Sequence, residues 1–294
     1  WLLQKVLVNL IIVPFRAPKS TKLYQKIWAE KGSPLLTISN NTRDKLQHEL
    51  GESSTVYVAM RYGKPSLRKV LQKLESRNFE RIVLLPMFPQ YASSTTGTVV
   101  QLLNSLTAKW NAIPEINIIG QFYNHRGFIK AFAVQISKYN PTTFDHIVFS
   151  YHGLPHSQTD RIHPKIKTSE CNCSTQFPSH GKLCYRATCY ETTRLLANEL
   201  NLNQSAYSVA FQSRLSKNWL EPFADEELVR LAIEGKKRIL IVAPSFVADC
   251  LETIYEIGIE YQQIFKKHGG DELVLVESLN ANKEWIKTLA EIVK

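Results

Sequence analysis

Acidic residues are in short supply in this chain. Among 294 residues, 26 Asp and Glu face 36 Lys and Arg, a formal net charge of +10. That balance favours an acidic partner: nucleic acid, an anionic membrane surface or a polycarboxylate ligand. No nucleic-acid-binding signature accompanies it, and no nucleic-acid partner is expected. Most of the surplus is dispersed, as on a solvated basic surface. Long hydrophobic runs are missing too. Val6 to Phe15 is the longest uncharged apolar stretch near the start, and it falls short of the about 20 residues that span a bilayer. No secretory signal and a cytoplasmic protein are expected, peripheral to a membrane at most. The first residue is Trp1 rather than Met, and the chain is expected to begin short of its natural start. Paired CxxC motifs are absent although there are five cysteines, which argues against a zinc ribbon. No low-complexity linker marks a domain boundary.

What is present is an ordinary apolar share, 44%, and a repeating pattern. An amphipathic helix is expected over 20–31, ended by Gly32-Ser33-Pro34. Strands are expected at 56–60, 82–85 and 116–119, and helices at 65–76 and 98–109. The hydroxyl-rich Ser93-Ser94-Thr95-Thr96-Gly97 caps the second of these helices. Further strands are expected at 147–150, 208–211, 239–242 and 273–276. The helices of this half are expected at 126–137, 186–199, 225–234, 249–267 and 283–293. Strands alternating with helices indicate βαβ units and parallel sheets. The fold class is therefore α/β, with two similar Rossmann-like lobes and a cleft between them. The lobes divide at about residue 125: 1–125, then 126–280. The last helix, within 281–294, is placed to cross back to the first lobe.

Asp145 to His156, DHIVFSYHGLPH, organises the rest. Its apolar run ends in His152, Gly153 and Pro155, so an ionisable ring sits at the carboxyl end of a strand. In open α/β sheets that edge is where ligands bind. A histidine there moves protons near neutral pH, or it packs under a turn satisfied by backbone. Asp249, Glu252, Glu256 and Glu260 follow at spacings of three, four and four, on one face of a helix. Such a row is either a cradle for a cation or a solvated acidic face. Trp219, in the loop after the 208–211 strand, reads as an apolar wall for a flat ligand or as a core residue. Cys171, Cys173, Cys184 and Cys189 crowd into an insert over 163–189. Four thiolates suit a structural zinc or an iron–sulfur cluster, and the missing CxxC pairs lean toward the cluster. Cys250 reads as a small buried apolar residue.

Together these segments resemble the ferrochelatases, which insert ferrous iron into a porphyrin. The motifs are FSYHGLP at 149–155, FPQYASSTTG at 88–97, FQSR at 211–214 with Trp219-Leu220, and ADCLETIYEIGIEY at 248–261. The resemblance covers nearly the whole chain. It implies a porphyrin held between two lobes, with protoporphyrin IX as substrate and coproporphyrin III as the nearest rival. A cobalt or nickel chelatase, or a two-lobed tetrapyrrole carrier without chemistry, are the other readings. The resemblance makes His152 the proton acceptor and, with Glu252 and Glu256, the site of the substrate Fe²⁺. Arg61, Tyr62, Tyr91, Ser94 and Trp219 would line the pocket, and Arg16 would meet a propionate. It also implies a [2Fe–2S] cluster on Cys171, Cys173, Cys184 and Cys189. In two places the chain departs from the pattern. The family's opening strand is expected to be missing from the first lobe. Leu215-Ser216-Lys217-Asn218 stands where Phe-Gly is usual after QSR.

Overall fold

The structure is a computed structural model, and it describes residues 13–294 apart from 31, 78, 164 and 165. The apolar lip before Val13 lies outside the described residues. The described residues begin with helix α1, Val13–Ile27, and α2, Pro34–Leu50. Helix α3, Leu67–Glu75, and strand β1, Arg81–Leu84, follow. A single π turn, Ser93–Gly97, leads into α4, Thr98–Thr107, and then β2, Glu115–Ile118. β1 and β2 pair in parallel as a two-stranded sheet. Leu67, Leu71, Ile82, Val99, Leu103 and Trp110 close a small core around them.

The second part begins with α5, Arg126–Ser137, and β3, His146–His152. Helix α6 (Tyr185–Glu199), β4 (Tyr207–Gln212), α7 (Ala224–Ile233) and β5 (Arg238–Val242) come next. A π-helix, Glu252–Tyr261, runs directly into α8, Gln262–Lys267; β6 (Glu272–Leu275) and α9 (Lys283–Val293) complete the chain. The four strands lie in the order β4-β3-β5-β6, all parallel. Such a sheet is covered on both faces, and the period of two along each strand divides its side chains between them. Ile147, Phe149 and Tyr151 enter the core built with α5, α6 and α9. Val148 enters the opposite core with Leu228 of α7 and Phe265 of α8. β5 alternates likewise, Leu240 and Val242 one way, Ile239 and Ile241 the other. A fully buried Phe or Leu stabilises by about 1.5–3 kcal/mol, so burial on both faces anchors β3 in the larger sheet.

α9 packs against α2 as well as α5. Its fully buried Trp285 lies edge-on to Phe128 and tilted against Phe122, with Leu46 of α2 in the same core.

Two local expectations need correction. Residues 54–59 form no strand; Met60 makes an isolated bridge to Ser66. No strand lies beside that segment among the described residues, so its backbone has no ladder to join. Among the described residues the first sheet accordingly has two strands rather than three. Helix α2 was not expected at all. Helix α1 ends at Ile27, ahead of Gly32-Ser33-Pro34, and that turn starts the next helix instead. Pro34 sits in the first turn of α2, where its missing N–H forfeits no hydrogen bond. Among the described residues no helix is long and apolar enough to cross a membrane.

Candidate active site

β3 ends at His152, and the chain turns at once through Gly153. A side chain on Gly153 would meet the Gln212 carbonyl at 2.9 Å and the Trp219 ring at 3.3 Å. Only glycine allows the chain to leave the strand so tightly against β4. The backbone of His152 is held from two sides: Tyr185 donates its hydroxyl to the His152 carbonyl at 2.9 Å, and the His152 N–H donates to Ser245 Oγ at 3.4 Å. The ring is fixed by Nδ1, 2.7 Å from the Gly153 carbonyl. A carbonyl only accepts, so Nδ1 carries the proton in the neutral ring and Nε2 keeps its lone pair. Trp219 and Phe246 flank the ring, each with its centroid 6.4 Å away.

His152 lines a cavity of about 1790 Å³. Arg61, Tyr62 and Ser94 line it from the first part of the chain, Glu252 from the π-helix. Arg61 lies over the Tyr62 ring, 4.7 Å from its centroid, and its Nε is buried without a partner. Tyr24 of α1 also lines the cavity. Burial and then the Glu252 charge push its phenol above the usual range. Six exposed large apolar side chains, Tyr24, Trp28, Leu35, Tyr62, Met87 and Phe88, belong to this lining, while others such as Ile113 and Ile233 lie elsewhere. A ligand with a broad apolar face is what such a wall accommodates.

Other expected residues lie elsewhere. Tyr91 is folded back over Gly97, its hydroxyl 3.1 Å from where a side chain there would begin, and it is not in the lining. Trp219 packs on Gly153 behind the histidine instead of forming the wall itself. The side chain of Arg16 lies outside those described. The acidic row is divided. Asp249 accepts from Thr253 Oγ1 at 3.0 Å and Asn280 Nδ2 at 2.8 Å. Glu256 accepts from the Ser213 N–H at 2.8 Å, the Ser213 hydroxyl at 2.5 Å and the Tyr261 hydroxyl at 3.0 Å. With Glu260, Arg214 and Asp225 it lines a second, smaller cavity of about 530 Å³. Burial, then the Glu256 charge, raises the Glu260 carboxyl above its usual range. Of the row, Glu252 alone lines the large cavity.

Sequence reasoning missed Phe246 and Ser245. Their position just past the carboxyl end of β5, next to β3, is the signal that points to them.

In the insert, Cys171, Cys173 and Cys184 form a small buried cluster with Ala187. His163 joins them: the donor atoms of His163, Cys173 and Cys184 all lie within 4.8 Å of one another, as do those of His163, Cys171 and His180. Cys189 belongs to neither group among the described residues. It is fully buried in the main core, and burial pushes its thiol well above the usual range. Its thiol nevertheless lies near enough to those of Cys173 and Cys184 for their charges to interact.

The ferrochelatase family model matches residues 1–294. The ferrochelatase of Coxiella burnetii (strain Dugway 5J108-111) is 41% identical over 297 residues, covering 100% of this chain and 82% of that protein. The chain belongs to the ferrochelatase family. A Legionella pneumophila (strain Lens) ferrochelatase is 42% identical over 290 residues, 98% of this chain and 86% of its relative. Ferrochelatases are metal chelatases, lyases of haem synthesis whose substrates are a porphyrin and ferrous iron. The fold has a solved counterpart in the sirohydrochlorin chelatase SirB of Bacillus subtilis subspecies spizizenii, in complex with cobalt. There the TM-score is 0.60 at 9% identity, over 90% of each chain. At that identity the likeness is one of fold.

Proposed function

We propose that this ferrochelatase binds protoporphyrin IX in the large cavity, with His152 Nε2 as the base that takes protons from the macrocycle. The observation that carries the proposal is the fixed tautomer. The Gly153 carbonyl holds the proton on Nδ1, so the basic nitrogen is the other one. Fe²⁺ and a free-base porphyrin give the metalloporphyrin and two protons. The two pyrrole N–H bonds break, and each nitrogen pair is donated to the metal. The planar ring hides those lone pairs, so a cavity that grips the ring edge and bends the ring assists insertion. Glu252 brings a negative charge to the cavity, where it offsets the dication and accepts a proton onward. Glu256, on the next turn of the π-helix, continues that path toward the second cavity. Arg61, whose Nε has no partner, and Ser94, both in the cavity lining, would bind a carboxylate of the porphyrin. In this scheme Trp219 and Tyr91 act behind the lining, Trp219 by bracing Gly153 and His152. We also propose peripheral membrane contact through the exposed apolar rim.

The resemblance would place a [2Fe–2S] cluster on Cys171, Cys173, Cys184 and Cys189, and no step is assigned to it.

The test is an anaerobic absorbance assay with Fe²⁺ and either protoporphyrin IX or coproporphyrin III. Loss of the free-base bands of protoporphyrin with growth of haem bands is expected. His152→Ala should lower that rate at least about a hundredfold, the scale of a positioned base, with porphyrin binding retained. Faster turnover of coproporphyrin would move the substrate assignment. Undiminished turnover by the variant would remove His152 from its role.

A further inference from the structure

The ring of His152 is fixed by backbone alone. The acceptor of its Nδ1 proton is the carbonyl of the next residue, Gly153, at 2.7 Å. Ring and acceptor lie on either side of the His152–Gly153 peptide plane, and a glycine on the far side leaves that plane free to turn. The 2.7 Å contact therefore lasts only while the plane is held. Both of its polar groups are tied. The Gly153 N–H donates to the Gln212 carbonyl at 2.8 Å. The His152 carbonyl accepts the Tyr185 hydroxyl at 2.9 Å. The preceding plane is tied too, its His152 N–H donating to Ser245 Oγ at 3.4 Å.

The two hydroxyls reach His152 from neighbouring elements. Tyr185 opens α6 and is buried in the core that also holds Tyr151 and Leu154. Ser245 follows β5, which pairs with β3. The Ser245 hydroxyl also reaches the Tyr185 oxygen, and the Cys189 sulfur neighbours that oxygen. A phenol has one proton to donate, and the His152 carbonyl at 2.9 Å takes it. The bonds close a circuit: His152 N–H to Ser245, Ser245 to Tyr185, Tyr185 to the His152 carbonyl. All three residues line the large cavity.

We propose that Tyr185 and Ser245 are positioning residues for iron insertion, their hydroxyls holding the backbone of His152 so that its proton stays on Nδ1 and Nε2 stays basic. This role rests on the reading of His152 as the base. A free neutral imidazole side chain carries its proton mainly on Nε2, the form with no lone pair to offer there. Once the plane turns, that form competes, and every molecule that adopts it lacks the base. Both residues act through His152.

The test is ¹⁵N NMR of histidine-labelled protein, with anaerobic turnover of protoporphyrin IX and Fe²⁺ and a titration of protoporphyrin binding. The His152 signals, assigned by their loss in His152→Ala, should show the Nδ1–H form in the unaltered protein. Tyr185→Phe keeps the ring in the core and removes only the hydroxyl. It should move part of the His152 population to the Nε2–H form and lower kcat about tenfold, the scale of a slightly misplaced reacting group, with the porphyrin Kd unchanged. Ser245→Ala should do the same to a smaller extent, about threefold, as befits one long hydrogen bond. Ser245→Thr, which keeps a hydroxyl, should restore both tautomer and rate. That pair decides the matter if Tyr185→Phe does not fold. A lowered melting temperature with tautomer and kcat unchanged would make the hydroxyls packing groups and overturn the proposal. So would equal rates for Ser245→Ala and Ser245→Thr. Undiminished turnover by His152→Ala would instead remove the base reading, and the tautomer in Tyr185→Phe and Ser245→Ala would still decide whether these hydroxyls hold the ring.

Discussion

His146 and His152 begin and end the same strand, β3, and the fold uses them in opposite ways. His152 leaves the sheet at its carboxyl edge, where one nitrogen is tied to backbone and the other is free for chemistry. His146 is buried at the far end, with Nε2 3.0 Å from Ser208 Oγ and Nδ1 without a partner. Burial dominates and pushes its pKa down to about 4; the Glu227 charge works against that shift, while Lys236 and Arg230 work with it. The unfolded ring titrates near 6.5, so the folded state favours the neutral form. Stability from this residue is complete above about pH 6.5 and is lost as pH falls toward about 4. The drop is up to about 3 kcal/mol at about 1.4 kcal/mol per unit. Thermal melts of His146→Gln should show a flatter loss of stability than the unaltered protein between pH 6.5 and 4. Parallel curves would show that the ring does not govern that window. His152 was legible as a strand-end histidine. That His146 is a silent core residue was not, because burial depends on which helices cover the strand.

The π-helix Glu252–Tyr261 is the element where sequence and structure differ most usefully. The spacing of four acidic residues reads as one continuous face. In the folded chain the row is parted, one member to Asn280, one to the large cavity and two to the smaller one. Ser213 is part of the cause. It holds a left-handed backbone, φ 61°, and so turns both its N–H and its hydroxyl onto Glu256. Strained residues of this kind gather at functional sites. Nothing in the local spelling of QSR announces that conformation. A second element-scale feature is the close approach of α5 and α9 at Gly127. A methyl there would lie 2.5 Å from Thr288 Oγ1 and 2.8 Å from its Cγ2. Gly127→Ala should therefore cost about 1–3 kcal/mol in denaturant unfolding, the scale of overpacking. Adding Thr288→Ala should return part of the loss. Two additive losses would show that the clash is relieved another way.

At the scale of the molecule, the cleft and its surroundings decide the partners. Six of the thirteen exposed large apolar side chains among the described residues sit on the cavity lining, on a chain of net charge +10. A basic protein with such a rim should bind anionic vesicles, with affinity falling as salt rises because the charge is screened beyond about 10 Å at 0.1 M. Co-sedimentation with vesicles of phosphatidylglycerol and phosphatidylcholine checks this. Binding to neither anionic nor neutral lipid would leave the rim to the porphyrin alone.

The sequence by itself determined most of the element order and the parallel α/β class. Hydrophobic periodicity and turn residues are local, and every strand of the larger sheet lies within two residues of where the pattern places it. It also determined the chemistry available at the end of β3, since a strand that stops at His152-Gly153 needs no distant contact to put a ring at the edge. Only tertiary structure decided which residues share a cavity. It drew Phe246 beside His152, turned Glu256 away to Ser213, placed Trp219 behind the histidine, and gathered His163 with three of the four clustered cysteines. Those outcomes depend on contacts between segments tens of residues apart. No spacing within one segment encodes them, because a side chain's surroundings are set by what packs against its element.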